Sequence, residues 1–186
     1  MKGECSKMKY AIDVHEMVFP KYAKIQFKIN KGGNLTVAAS PSFTPGQLPE
    51  GTKGGKVPKG TRVFDYDKQI ITSLGIPDII KLIDMSKKKV ATENVDIFRN
   101  SEKYNKKITF SYNLDESTGA VKFLTIYFHS TDYTGKEIKF YLPISLANFE
   151  EIAHILQSYL SSVCSIKLFC LAETDDSESN NYNFKD

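Results

Sequence analysis

Residues 22–29 read Tyr-Ala-Lys-Ile-Gln-Phe-Lys-Ile, apolar at every second position. Side chains of an extended backbone alternate faces with a period of two, so this spacing predicts a half-buried strand. Ala23, Ile25, Phe27 and Ile29 take the inner face, and Tyr22, Lys24, Gln26 and Lys28 the outer one. One buried face obliges the rest of the chain to supply a sheet and a covering layer.

The remainder fits that demand. Lys31-Gly-Gly-Asn34 predicts a turn and Leu35–Ala39 a return strand. Residues 41–60 hold Pro41, Pro45, Pro49, Pro58 and several glycines, which marks a long loop. Its GTKGGKVPKG stretch is not a phosphate loop, because G-x-x-x-x-G-K-[ST] requires glycine where Glu50 stands and a hydroxyl where Val57 stands. Residues 62–66 and 68–74 are the third and fourth strand candidates. Gly75-Ile76-Pro77 then opens a helix, with proline where its missing N–H costs nothing. Ile76, Ile79, Ile80 and Ile83 form its apolar stripe, and it ends near Met85, ahead of Lys87, Lys88 and Lys89.

The second half follows the same plan. Strands are expected at 95–99, 107–114, 121–130 and 137–144, with hairpin turns at 115–119 and 132–135. Ser145 is a good N-cap for a helix over 146–162, whose buried face is Phe149, Ile152, Leu156, Tyr159 and Val163. The apolar segment Ser165–Leu171 either continues this helix or packs in extended form. The predicted fold class is α+β: two four-stranded antiparallel sheets and two helices, ββββα twice over. Residues 1–20 are expected to be a poorly ordered arm with room for a short helix, residues 21–171 the domain, and residues 172–186 a disordered tail.

Charge is unevenly spread. The net charge is +3, yet residues 173–186 carry five acids against Lys185 alone, leaving −4 there and +7 on the rest. An acidic tail ending in Tyr182 and Phe184 reads as a solubilising appendage, a competitor for the basic surface or a docking peptide, with Asp175, Asp176 and Glu178 as its charges. Two of the 25 basic residues are arginine, Arg62 and Arg99, and the rest are lysine. Three cysteines exclude a disulfide scaffold, and Cys164 and Cys170, in apolar context, read as buried inert thiols. His15, His129 and His154 are scattered and no Cys-x-x-Cys occurs, so no metal or cofactor is implied. No apolar run approaches the ~20 residues of a membrane helix, and neither a secretory nor an Arg-rich transit segment opens the chain. No catalytic constellation is visible, and the chain is not expected to be an enzyme.

The outer strand faces are more informative. Parity turns Phe123, Thr125, Tyr127 and His129 outward in one strand and Lys139 and Tyr141 in the next. Lysines interleaved with rings suit an unpaired polynucleotide, since ammonium groups take phosphates and bases stack on rings. Outward aromatics also build second cores and oligomer interfaces, and that reading stands beside the first.

Three segments, taken in order, resemble the Whirly family of single-stranded DNA-binding proteins, related in fold to the positive-cofactor-four coactivators. Phe64–Leu82 (FDYDKQIITSLGIPDIIKL) resembles the family's Tyr-Asp-aromatic, Lys-Gln, strand and helix segment, with a gap at Tyr66-Asp67. Residues 138–149 (IKFYLPISLANF) resemble its last strand and second helix, and residues 22–41 its first hairpin. The family's Lys-Gly-Lys-Ala-Ala-Leu element is not present as such. The resemblance implies a homo-oligomer, dimer or tetramer, that binds single-stranded DNA (RNA is the alternative) in replication, recombination or repair. Carried over by position, it implies Lys24, Lys28, Asn34, Tyr66, Lys68 and Gln69 as binding residues. Tyr22, Gln26, Lys31, Phe123, Tyr127, Lys139 and Tyr141 join them as candidates. The tail resembles those of bacterial and phage replication proteins, which recruit polymerases and helicases. The expected setting is the cytoplasm of a bacterial or phage-infected cell. RNA annealing, transcription regulation, or an assembly module without nucleic acid remain open at this level.

Overall fold

The computed structural model describes residues 12–54, 56–89 and 94–179, with side chains as far as Ile166. Two antiparallel four-stranded meanders, ordered β1-β2-β3-β4 and β5-β6-β7-β8, are each followed by a helix. The first comprises β1 (Ile12–Phe19), β2 (Ala23–Ile29), β3 (Leu35–Pro41) and β4 (Ile70–Ser73), ahead of α1 (Ile76–Lys88). The second comprises β5 (Val95–Asn100), β6 (Tyr104–Leu114), β7 (Val121–Asp132) and β8 (Glu137–Ile144), ahead of α2 (Leu146–Ser179). The predicted class is therefore observed.

The first sheet reaches its four strands by another route than expected. Residues 12–19, expected to belong to the arm, pair along β2 as an edge strand. Residues 62–66, expected to be a strand, make only an isolated bridge between Ser42 and Phe64. The Asp65 carboxylate then accepts from the Asp67 N–H at 3.2 Å and caps a single 3-10 turn over Tyr66–Lys68. A side chain that captures its own backbone two residues on favours a turn over extension.

Both sheets and both helices share one core. Alternation in β2 holds throughout: Ala23, Ile25, Phe27 and Ile29 are buried. Ile97, Ile108, Leu124, Ile126 and Phe128 answer from the second sheet, each at most 2% exposed. A side chain so enclosed contributes about 1.5–3 kcal/mol through burial.

In α1 the buried residues are Ile79, Leu82, Ile83, Met85 and Ser86. Ile76 and Ile80, expected on that face, are 41% and 45% exposed. The helix starts where predicted, with the Gly75 N–H donating to the Asp78 carboxylate at 2.9 Å and Arg99 paired with the same carboxylate. It runs to Lys88 and stops at Lys89, whose left-handed φ of 50° ends the α geometry. The Met85 carbonyl accepts both the Lys89 N–H and the hydroxyl of Tyr112, whose pKa burial pushes up to about 12, with Glu150 adding to the shift.

Ser145 caps α2 as predicted, its hydroxyl accepting from the Asn148 N–H at 3.1 Å. Phe149, Ile152, Leu156, Tyr159 and Val163 are buried, as read from the spacing. The helix continues through Ser165–Leu171 to Ser179, 34 residues in all, so residues 172–179 are helical in backbone where a disordered tail was expected. Residues 180–186, with Tyr182 and Phe184, lie outside the described residues, as do the side chains of Cys170, Asp175, Asp176 and Glu178. Cys164, expected to be buried, is an exposed free thiol. Among the described residues no helix is long and apolar enough to cross a membrane.

Candidate nucleic-acid interface

Register fixes what shares each outer face. On the first sheet Gln26 lies opposite Glu16 and Ala38, Lys28 opposite Asp13 and Thr36, and Lys24 opposite Ser40. Ala38 in turn faces Ile71 on β4. Ala38, Thr36 and Ser40 are small, so the middle of this face is a low floor between taller side chains. Gln69 reaches onto it, donating to the Ser40 hydroxyl at 3.0 Å. Tyr66 stands at its rim, 48% exposed, with the Lys24 ammonium 6.0 Å from its ring centroid.

On the second sheet two rows cross the outer face. One is Asp96, Thr109, Tyr127, Tyr141, and the other Phe98, Lys107, His129, Lys139. The Tyr127 and Tyr141 rings lie opposite one another, 6.5 Å between centroids, each about half exposed. The Lys107 ammonium sits 5.0 Å from the Phe98 ring. A shallow cavity of about 310 Å³ opens here, lined by Lys107, Thr109, Tyr127, His129, Lys139 and Tyr141.

These faces are not separate. Tyr22, in the turn just before β2 and partly buried against the shared core, brings its ring to 6.1 Å from that of Tyr141. Lys106, on the opposite parity from Lys107, donates its ammonium to the Ile71 carbonyl at 2.8 Å and ties β6 to β4. Burial pulls the Lys106 pKa down. Lys28, Gln26, Lys24 and Tyr22 thus lead onto Tyr141, Tyr127 and Lys139 as one lane across both sheets.

Not every sequence-predicted residue joins it. Lys31 and Asn34 are exposed in the β2–β3 turn, at the end of β2 away from Tyr22. At ~3.3 Å per residue Lys31 lies ~30 Å from Tyr22, off the contact between the sheets, though ~10 Å from Lys28 at the near end of the lane. Phe123 is half buried opposite Asn113, four residues or ~13 Å from Tyr127 along β7. Lys68, in the same 3-10 turn as Tyr66 and well exposed, does remain at the rim, its ammonium held by Asp65 at 3.1 Å.

The electrostatics depart from a bare basic surface. Lys24 pairs with Glu16 at 2.8 Å, Lys28 with Asp13 at 3.1 Å, Lys107 with Asp96 at 3.1 Å and Lys139 with Glu137 at 2.6 Å. Only 16% of the Lys24 side chain is exposed. Burial pulls its pKa down, but the hydrogen bond to Glu16 and the nearby Tyr66 outweigh this and leave it raised. The Lys24 hydrogen bond holds Glu16 below its ordinary range, against burial, and Lys139 does the same for Glu137. The sequence reading missed these four carboxylates and also Phe98, which is 55% exposed. Phe98 was legible, since alternation in Val95-Asp-Ile-Phe-Arg puts Asp96 and Phe98 on the outer side. No metal-holding cluster of His, Cys, Asp or Glu occurs among the described residues.

No family model and no curated protein matches the sequence. Among solved structures the chain is similar to the Whirly protein WHY1 from Arabidopsis thaliana, with a TM-score of 0.56 and 14% identity, over 96% of this chain and 98% of that one. At that identity the likeness establishes a shared fold, helices and both sheets included.

Proposed function

We propose that this protein binds single-stranded DNA, without enzymatic activity of its own, and acts as a homo-oligomer in replication, recombination or repair. The observation that carries the reading is the contact of Tyr22 with Tyr141, which joins the outer faces of two sheets into one lane where lysines and tyrosines follow one another. A flexible strand laid along it stacks bases on Tyr66, Tyr22, Tyr141 and Tyr127, while Lys24, Lys28, Lys68, Lys107 and Lys139 reach its phosphates. Stacking contributes ~1–3 kcal/mol per base and tolerates any base, so sequence preference is small. The Whirly fold supports the reading by analogy, because the resemblance that runs through roughly residues 20–162 implies the same ligand class. The acidic end of the chain, from Glu173 on, serves in this account to recruit replication proteins, in a bacterial or phage-infected cell.

Fluorescence anisotropy with one labelled sequence as single-stranded DNA, as duplex and as RNA tests it. The expected result is preferential binding of single-stranded DNA, with log K falling against log salt by ~0.7 for each phosphate neutralised. An RNA preference redirects the proposal to RNA, and no binding to any oligonucleotide at low salt overturns it.

A further inference from the structure

The lysines of the lane are not waiting unpaired. Glu16 holds Lys24, Asp13 holds Lys28, Asp96 holds Lys107, Glu137 holds Lys139, and Asp65 holds Lys68 beside Tyr66. The Glu16 and Glu137 side chains are 44% and 45% exposed, so solvent reaches them and any ligand in the lane does too. Exposed ion pairs are weak and exchange their partners readily. A phosphate can therefore displace the carboxylate from the exposed pairs of Lys28, Lys107 and Lys139, and meets the more enclosed Lys24 at its Glu16 edge; the displaced charge stays beside the lane and repels the backbone that displaced it.

We propose that these carboxylates, Glu16 and Glu137 foremost, are specificity determinants that select unpaired strands over duplex. The inference rests on the single-strand reading above. A duplex hides its base faces and presents about one phosphate per 1.7 Å of axis, so it must bind through charge alone. The counter-charges withhold that term. A single strand has fewer phosphates per length, can turn them away from the carboxylates, and offers base faces to Tyr22, Tyr127 and Tyr141. The rings are thereby left to decide what is retained.

A competing account makes the pairs cross-strand struts between β1 and β2 and between neighbours on β8, with no bearing on ligand choice. The two differ in salt dependence. In the double variant Glu16→Gln, Glu137→Gln, two freed lysines steepen the log–log salt slope by about 1.4 on single strands and about 1.8 on duplex. Duplex affinity at low salt rises roughly tenfold, and the preference for single strands falls about threefold. Asp96→Asn, which frees Lys107 on the second sheet alone, gives a smaller shift of the same sign and stands in should the double variant fail to fold. Slopes equal to wild type in a variant whose circular dichroism is native overturn the proposal, as does an equal gain on both ligands. Wild-type protein that binds neither ligand refutes the single-strand reading itself and is a separate outcome.

Discussion

Asp132 and Asp115 show how single carboxylates set the hairpins of the second sheet. The Asp132 carboxylate accepts from the Thr134 hydroxyl at 2.6 Å and from the N–H groups of Thr134 and Lys136 at 2.9 and 3.0 Å. These bonds, the Thr134 hydroxyl first, hold its pKa below the ordinary range, and those from Ser117 and Thr118 do the same for Asp115. A carboxylate whose folded pKa lies below its unfolded value stabilises the fold above the unfolded value and loses that effect as pH falls through the folded one. Asp132→Ala is therefore expected to lower Tm at pH 7, and the gap to wild type to narrow below about pH 4. A gap that stays constant down to pH 2 contradicts this origin. The outward residues Lys24, Lys28, Tyr127, Lys139 and Tyr141 were legible from parity alone. The partners on β1 were not, because Asp13 and Glu16 are three positions apart and share a face only through a register shift between Asp13 and His15, whereas Asp96 and Glu137 stand at the parity of Phe98 and Lys139 and were open to the same reading.

That shift also explains why β1 was missed as an element. An edge strand buries little, and here only Met17 is fully enclosed while Ile12, Val14 and Val18 are exposed, so the apolar pattern carries no clean period. Helix α1 was placed correctly, but its face was read about one residue out of phase. Its four isoleucines formed a plausible stripe by themselves, whereas packing against both sheet two and α2 draws in Leu82 and Met85 and turns Ile80 to solvent. Leu82→Ala should cost ~2–5 kcal/mol in urea unfolding. Ile80→Lys should stay within ~0.5 kcal/mol of wild type. The reverse order places the stripe where the isoleucines alone would put it. Helix α2 outruns its expected end because Ser165–Leu171 contains neither glycine nor proline to stop it.

For the whole molecule, the two meanders close on one core and thereby leave two outer faces, which meet where Tyr22 touches Tyr141. The order of elements was legible because hairpin turns and helix caps are local; Gly119 and Gly135, for instance, take the positive φ of 67° and 81° that their turns require. The seam between the sheets was not, since Tyr22 and Tyr141 lie far apart in sequence and no periodicity relates them. The claim that bases stack along that seam is tested most directly by anisotropy titration of a labelled single-stranded oligonucleotide against wild type and Tyr127→Ala, Tyr141→Ala. Both rings are about half exposed, so the double variant should fold. The account predicts that wild type binds and that losing two stacking platforms weakens it by about thirtyfold or more, in keeping with ~1–3 kcal/mol for each. Equal affinity of wild type and double variant would contradict it.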